Sequence, residues 1–171
     1  SDAYRGSSAF SEPETQAWRR LLLAYPPAGA ITYHSYGQII LYPWGYIPDP
    51  TSDDAEMHAI AKEMSERIFR VNGRVYEYGQ GNTGIYPTNG DMDDWIYGIF
   101  GVPSYTIELP APDYLSGAFF VSEEEIDLSF ADQLPVMKYF VNYFVQKHND
   151  HETSEDKTKK MNFTEGKKEQ K

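Results

Sequence analysis

The stretch AITYHSYGQIILYP at 30–43 constrains this chain most. It is β-branched, aliphatic and aromatic almost throughout, it follows Pro26-Pro27 and Gly29, and it stops at Pro43 and Gly45. Such a run reads as a buried strand, and a buried strand needs layers that cover it. Helical patterns lie on either side. Ser11 followed by Glu14 has the form of a capping box, and Trp18, Leu21, Leu22 and Tyr25 then share one face, which predicts a helix over 11–24. Asp53 or Asp54 is expected to cap a second helix carrying Ala55, Ile60, Met64, Ile68 and Val71, with Asn72-Gly73 as its stop. Residues 76–91 are rich in Gly, Asn and Tyr and read as a long ordered loop. A short helix is expected at 95–100 and a strand at SYTIELP, 104–110. A last helix begins at Ser122-Glu-Glu-Glu125 and runs to about Val145, with Pro135 as a kink. Helices alternating with strands argue for an α/β layered sheet.

Beyond Gln146 the composition changes. QKHNDHETSEDKTKKMNFTEGKKEQK offers only Met161 and Phe163 as large apolar residues, too little to offset the entropy of ordering. The chain is therefore divided into a folded body, 1–145, and a charged tail, 146–171, expected to be disordered. The formal charge of the chain is −11, and since the tail's seven Lys outnumber its six acids by one, the body carries −12, which opposes binding to phosphate backbones or anionic lipid. Neither nucleic acid nor a membrane is expected as a partner. No run is long and apolar enough for a membrane span, and SDAYRGSSAF lacks a signal-peptide layout, so any export signal is expected upstream. With no cysteine, only His and carboxylates remain as strong metal ligands.

The histidines alone say little. His148 and His151 sit in the charged tail and His58 on the polar side of a helix, so solvated surface is the reading for all of them. His34 differs, because it lies inside the apolar strand, where an imidazole is either satisfied by hydrogen bonds or put to use. Asn162-Phe-Thr164 has the form of a glycosylation sequon.

YHSYGQIILYPWGY, TGIYPTNGDMDDW and SYTIELP, in that order and spacing, resemble successive blocks of the zinc metallocarboxypeptidases of the A/B type, peptidase family M14, and YRGSSAFSEPET resembles the stretch that precedes them. The resemblance spans about 4–145. It implies an α/β/α sandwich around a mixed sheet, incomplete on its N-terminal side, and removal of single residues from peptide C-termini with one zinc ion. His34 matches a zinc ligand, and Glu108 the glutamate that activates water. Tyr86 matches a mobile tyrosine that closes over substrate, and Gly81, Gly84 and Gly90 would let its loop move. Ser35 and Tyr36 match positions along the substrate. Asp93 matches the pocket-floor carboxylate of members that remove a C-terminal Lys or Arg, and Gly81 a wall that leaves room for a long side chain. Asp91 resembles broad-specificity members, and Asp94 matches a structural carboxylate. The His-x-x-Glu that supplies the other zinc ligands and the arginines for the substrate are absent. Arg5 does not match them. A missing N-terminal half is therefore expected as a partner, this chain alone is expected to be inactive, and a secreted location follows from the resemblance. The resemblance implies release of C-terminal Lys or Arg first, and the alternatives are a carboxypeptidase of broad specificity or a non-catalytic fragment or descendant that keeps the fold for binding.

Overall fold

The computed structural model describes residues 6–110, 119 and 121–165. In chain order the elements are α1 (Pro13–Ala24), β1 (Ala30–Ser35), β2 (Ile39–Tyr42), α2 (Asp54–Asn72), β3 (Glu77–Gln80), α3 (Gly81–Gly84), α4 (Met92–Phe100), β4 (Ser104–Leu109) and α5 (Glu123–Glu165). The strands form one four-stranded sheet in the order β1-β4-β2-β3. β1 runs parallel to β4 and β2 parallel to β3, whereas β2 and β4 are antiparallel, so the sheet is mixed. Helices accompany it, as the α/β pattern requires.

The apolar run at 30–43 is two strands rather than one. Tyr36, Gly37 and Gln38 form a turn between β1 and β2, and β4 is inserted between them. Gly37 inside a strand pattern is the signal for that break. β2 and β4 bury Ile40, Tyr42, Tyr105 and Ile107 against Met57, Ile60, Met64 and Ile68 of α2, all of them buried. At about 1.5–3 kcal/mol for each fully buried side chain of this size, this layer is the main apolar contribution to the fold. The Tyr105 hydroxyl donates to the Met57 carbonyl at 3.2 Å, and the Tyr42 hydroxyl meets His58 Nδ1 at 3.1 Å, so both tyrosine hydroxyls are satisfied.

Local signals explain most boundaries. α2 stops at Asn72 because Gly73 takes a left-handed conformation, φ 81°, and its N–H caps the Phe69 carbonyl. Asp53 occupies the N-cap position of α2, but its carboxylate accepts from the Tyr97 hydroxyl at 2.8 Å instead of capping the helix. The capping box expected at Ser11 is not formed: α1 starts at Pro13, with Glu12 as the N-cap, and Ser11 Oγ donates to the Glu12 carboxylate at 2.8 Å. Pro at the first helical position fixes that start. Ser122 does cap α5, accepting from the Glu125 N–H at 3.2 Å. Within the loop expected at 76–91 lie β3 and the short α3.

The described residues up to Val136 form one compact unit and those from Met137 onward another. In the second unit α5 continues to Glu165, past the end expected near Val145 and through much of the segment expected to be disordered. Ring contacts at i, i+4 spacing, Tyr139 with Tyr143 at 6.1 Å and Phe140 with Phe144 at 4.9 Å, support the middle turns of α5. Tyr4, Arg5 and residues 166–171 lie outside the described residues.

Candidate functional site

Side chains alternate across a strand, so Ser104, Thr106 and Glu108 of β4 share one face, and Tyr105 and Ile107 point to the other, buried one. The parallel register places Thr32 beside Thr106 and His34 beside Glu108. The two threonine hydroxyls meet at 3.1 Å, and at the strand ends His34 Nδ1 lies 3.2 Å from each Glu108 carboxylate oxygen. The His34 side chain is 70% exposed and that of Glu108 14%. An imidazole open to solvent beside a mostly covered carboxylate can offer a ring nitrogen to a metal while the carboxylate accepts a proton.

Three segments border this face. Gly84 of α3 sits over Leu41 and Ile39, whose register neighbours on β4 are Thr106 and Glu108. The loop after α3 carries Tyr86, which is 62% exposed. The N-terminus of α4 attaches to the far end of the same face, where Ser104 Oγ donates to the Asp93 carbonyl at 2.7 Å. Glu108 lies four positions along the strand from Ser104, a rise of about 13 Å.

At that end three carboxylates gather. Asp94 accepts from the Gly45 N–H at 2.9 and 3.0 Å through its two oxygens, consistent with a structural part. Asp91 accepts from the Thr88 hydroxyl. Asp93 is 5% exposed. Burial, followed by the charges of Asp94 and Asp91, raises its pKa to about 7, against the pull of backbone N–H groups at the start of α4. Burial likewise pushes Asp94 above the ordinary carboxylate range. A Cβ on Gly45 would collide with Thr88 Oγ1 and stand 2.5 Å from Asp91 Oδ2, so glycine is what lets this backbone enter the cluster. Gly81 is a second close approach, where a Cβ would stand 3.3 Å from the Gly45 Cα. That is a packing reason for glycine, separate from the room for substrate that the resemblance implies. Ser35 ends β1, and Tyr36 in the turn meets the Phe119 ring edge-on at 4.9 Å.

The structure thus brings His34 and Glu108 into contact and sets Ser35 and Tyr36 beside them. Asp91, Asp93 and Asp94 form a separate cluster near Gly81, and Tyr86 lies on the loop between. Sequence reasoning missed Gly45 and Thr88, which shape the acidic cluster, and Gln38, which shapes the turn beside Glu108. The Trp-Gly pair after Pro43 signals only a break. The residues of this chain do not make a metal site by themselves: among the described residues no three His, Asp or Glu side chains come together to hold an ion, and zinc takes three or four ligands. His34 fits one position of such a set.

The class defined here is α/β, with a polar pair carried on adjacent strand ends above a loop-bordered face. Comparison with known proteins makes this specific. Residues 1–135 match the zinc carboxypeptidase family, Peptidase_M14. Carboxypeptidase B of Canis lupus familiaris is 33% identical over 147 residues, which cover 85% of this chain and 35% of that protein. Carboxypeptidase B of Astacus astacus is 38% identical over 112 residues, 64% of this chain and 37% of that protein. Among solved structures, bovine thrombin-activatable fibrinolysis inhibitor in complex with tick carboxypeptidase inhibitor matches with a TM-score of 0.77 at 26% identity, over 86% of this chain and 50% of that one. The chain belongs to the zinc carboxypeptidase family and has its fold. It spans about a third of the length of the curated relatives it matches.

Proposed function

We propose that the whole protein containing this chain is a zinc-dependent metallocarboxypeptidase that releases single C-terminal residues from peptides, with a preference for Lys or Arg, and that residues 1–145 are the C-terminal half of its catalytic domain. The observation that carries this is the contact of His34 with Glu108 at 3.2 Å across β1 and β4. His34 supplies one zinc ligand, and the remaining ligands come from outside the described residues. The zinc ion, when bound, supplies Lewis acidity at the scissile carbonyl. Glu108 takes the proton of the attacking water on a carboxylate oxygen and returns it to the leaving amine. Tyr86 closes over the substrate, with Ser35 and Tyr36 along its path. Asp93, with Asp91 near it and Gly81 at the wall, receives the side chain of the terminal residue.

The acidic cluster supports the basic preference. A buried carboxylate that holds its proton to about pH 7 gains most from a cationic partner, because ion pairing relieves the cost that raised its pKa. The exposure of α1 supports a covering half elsewhere in the protein. Trp18, Leu21, Leu23 and Tyr25 are all exposed, and among the described residues β1 is an edge strand with one unpaired side. By the same reasoning this chain alone holds no stoichiometric zinc and hydrolyses nothing. Among the described residues no helix is long and apolar enough to cross a membrane, and a secreted location is part of the proposal. The test is release of free amino acids from peptides by the full-length protein, with and without a zinc chelator. Stepwise, chelator-sensitive loss of the terminal residue is expected. Internal cleavage, or none, contradicts the proposal and favours a binding role for the fold.

A further inference from the structure

We propose that Gln38 is a positioning residue that holds the His34–Glu108 pair in register, an inference that rests on the function proposed above. β4 lies between β1 and β2, parallel to one and antiparallel to the other. The chain leaves β1 at Ser35 and enters β2 at Ile39, so Tyr36, Gly37 and Gln38 must carry it across the end of β4. The crossing covers two strand spacings, about 10 Å. Five consecutive Cα positions span at most about 14 Å when extended, which leaves little slack for a path that also reverses direction.

The turn meets that demand at a specific place. The Gly37 and Gln38 N–H groups both donate to the Leu109 carbonyl, at 3.0 and 3.3 Å, on the residue next to Glu108. Gln38 adopts φ 52°, a left-handed conformation that a side chain disfavours. Its amide Nε2 donates to the Val75 carbonyl at 2.7 Å, which anchors the turn to the segment that enters β3. Opposite, a Cβ on Gly37 would stand 3.1 Å from Glu108 Cβ, so the turn backbone bears directly on the stem of that glutamate. The β1–β4 ladder ends one pair beyond His34↔Glu108, at Ser35↔Leu109. Strand ends fray, and this turn is what closes the end on which the pair sits.

Leu109 presents one carbonyl to two donors, and Val75 presents an acceptor, so the chemistry at position 38 calls for a side-chain N–H of glutamine length. Gln38→Glu keeps length and shape but sets an acceptor against the Val75 carbonyl. Gln38→Gly relieves the left-handed backbone and removes the anchor. Ile60→Val in the core of α2 serves as a control for lost stability alone. The experiment uses the full-length protein, with zinc retention against a chelator, kcat and KM on one peptide, and hydrogen exchange of the Gly37 amide. For both Gln38 variants the expected result is Gly37 exchange accelerated by about tenfold or more, faster zinc loss, and kcat lowered about tenfold to hundredfold with KM within about twofold, the signature of misplaced reacting groups. The control is expected to keep parent values in all three.

Unchanged Gly37 exchange, or accelerated exchange with kcat and zinc retention intact, overturns the inference. So does an equal loss of kcat in the Ile60→Val control. A parent protein without zinc and without peptide release fails before any variant is made and overturns the functional reading instead.

Discussion

Asp93→Asn should flatten the dependence of stability on pH between about pH 4 and pH 7. The Asp93 carboxyl has its pKa raised from 3.8 to about 7 by burial, then by the charges of Asp94 and Asp91. In the unfolded chain it ionises near its ordinary value. Between the two values the folded protein holds a proton that the unfolded chain has lost, so stability falls as pH rises, by about 1.4 kcal/mol per unit. The contribution is fully present below pH 3.8, is lost as pH rises through about 7, and is level above that. Over a shift of this size the total is about 4 kcal/mol. Asparagine keeps the shape and has no proton to lose, so the stability of the variant relative to the parent should climb by that order across the window. The rest of the chain is common to both proteins, which makes the difference between two curves the quantity to read. Urea denaturation of parent and variant at pH 4, 5.5 and 7.5 measures it. Curves that stay parallel within about 0.5 kcal/mol would refute the account of Asp93 as a carboxylate burdened by its burial.

Further outcomes follow from the same geometry. Asp93→Ile in the full-length protein should reduce the ratio of kcat/KM for peptides ending in Arg to those ending in Phe by about tenfold to hundredfold, the worth of one charge-assisted hydrogen bond, and an unchanged ratio removes Asp93 from specificity. In the parent that ratio should rise as pH passes through about 7, where Asp93 ionises, and a ratio that is flat over pH 6–8 contradicts this. Arg74 bridges Asp132 at 3.0 Å and Glu125 at 2.7 Å, and Asp132 is fully buried. Arg74→Met should therefore cost about 3–5 kcal/mol in denaturant unfolding, because it leaves buried carboxylates without a counter-charge, and a loss below about 1 kcal/mol sinks that reasoning.

What the sequence disclosed depended on how local each signal was. Asn72-Gly73 ended α2 where a left-handed cap was needed, Ser122 capped α5, and SYTIELP alternated as a strand with one buried face, all visible within a few residues. The apolar run at 30–43 misled because burial and pairing with β4 demand the same residue types on both sides of a turn, and only Gly37 marked the reversal. At Ser11 a cap pattern was present, yet Pro13 set the helix start and the Ser11 hydroxyl went to Glu12. Past Val145 the composition speaks only to burial, and the extent of α5 to Glu165 is not written in it. For the candidate site, His34 stood out as an imidazole in an apolar strand, and the resemblance pointed to Glu108, but their contact depends on a parallel register between segments far apart in the chain. The parts played by Gln38, Gly45 and Thr88 arise from tertiary packing and leave no spacing to read.

In the proposed function Glu108 moves the proton while His34 holds the metal, and a single substitution in the full-length protein separates the two. Glu108→Gln preserves the shape beside His34 and removes the proton acceptor. Zinc content per protein and kcat on a peptide ending in Arg, measured on the same preparation, should show zinc near the parent value and kcat lower by several orders of magnitude. Parent-like kcat in the Glu108→Gln variant, with its zinc in place, would contradict the account.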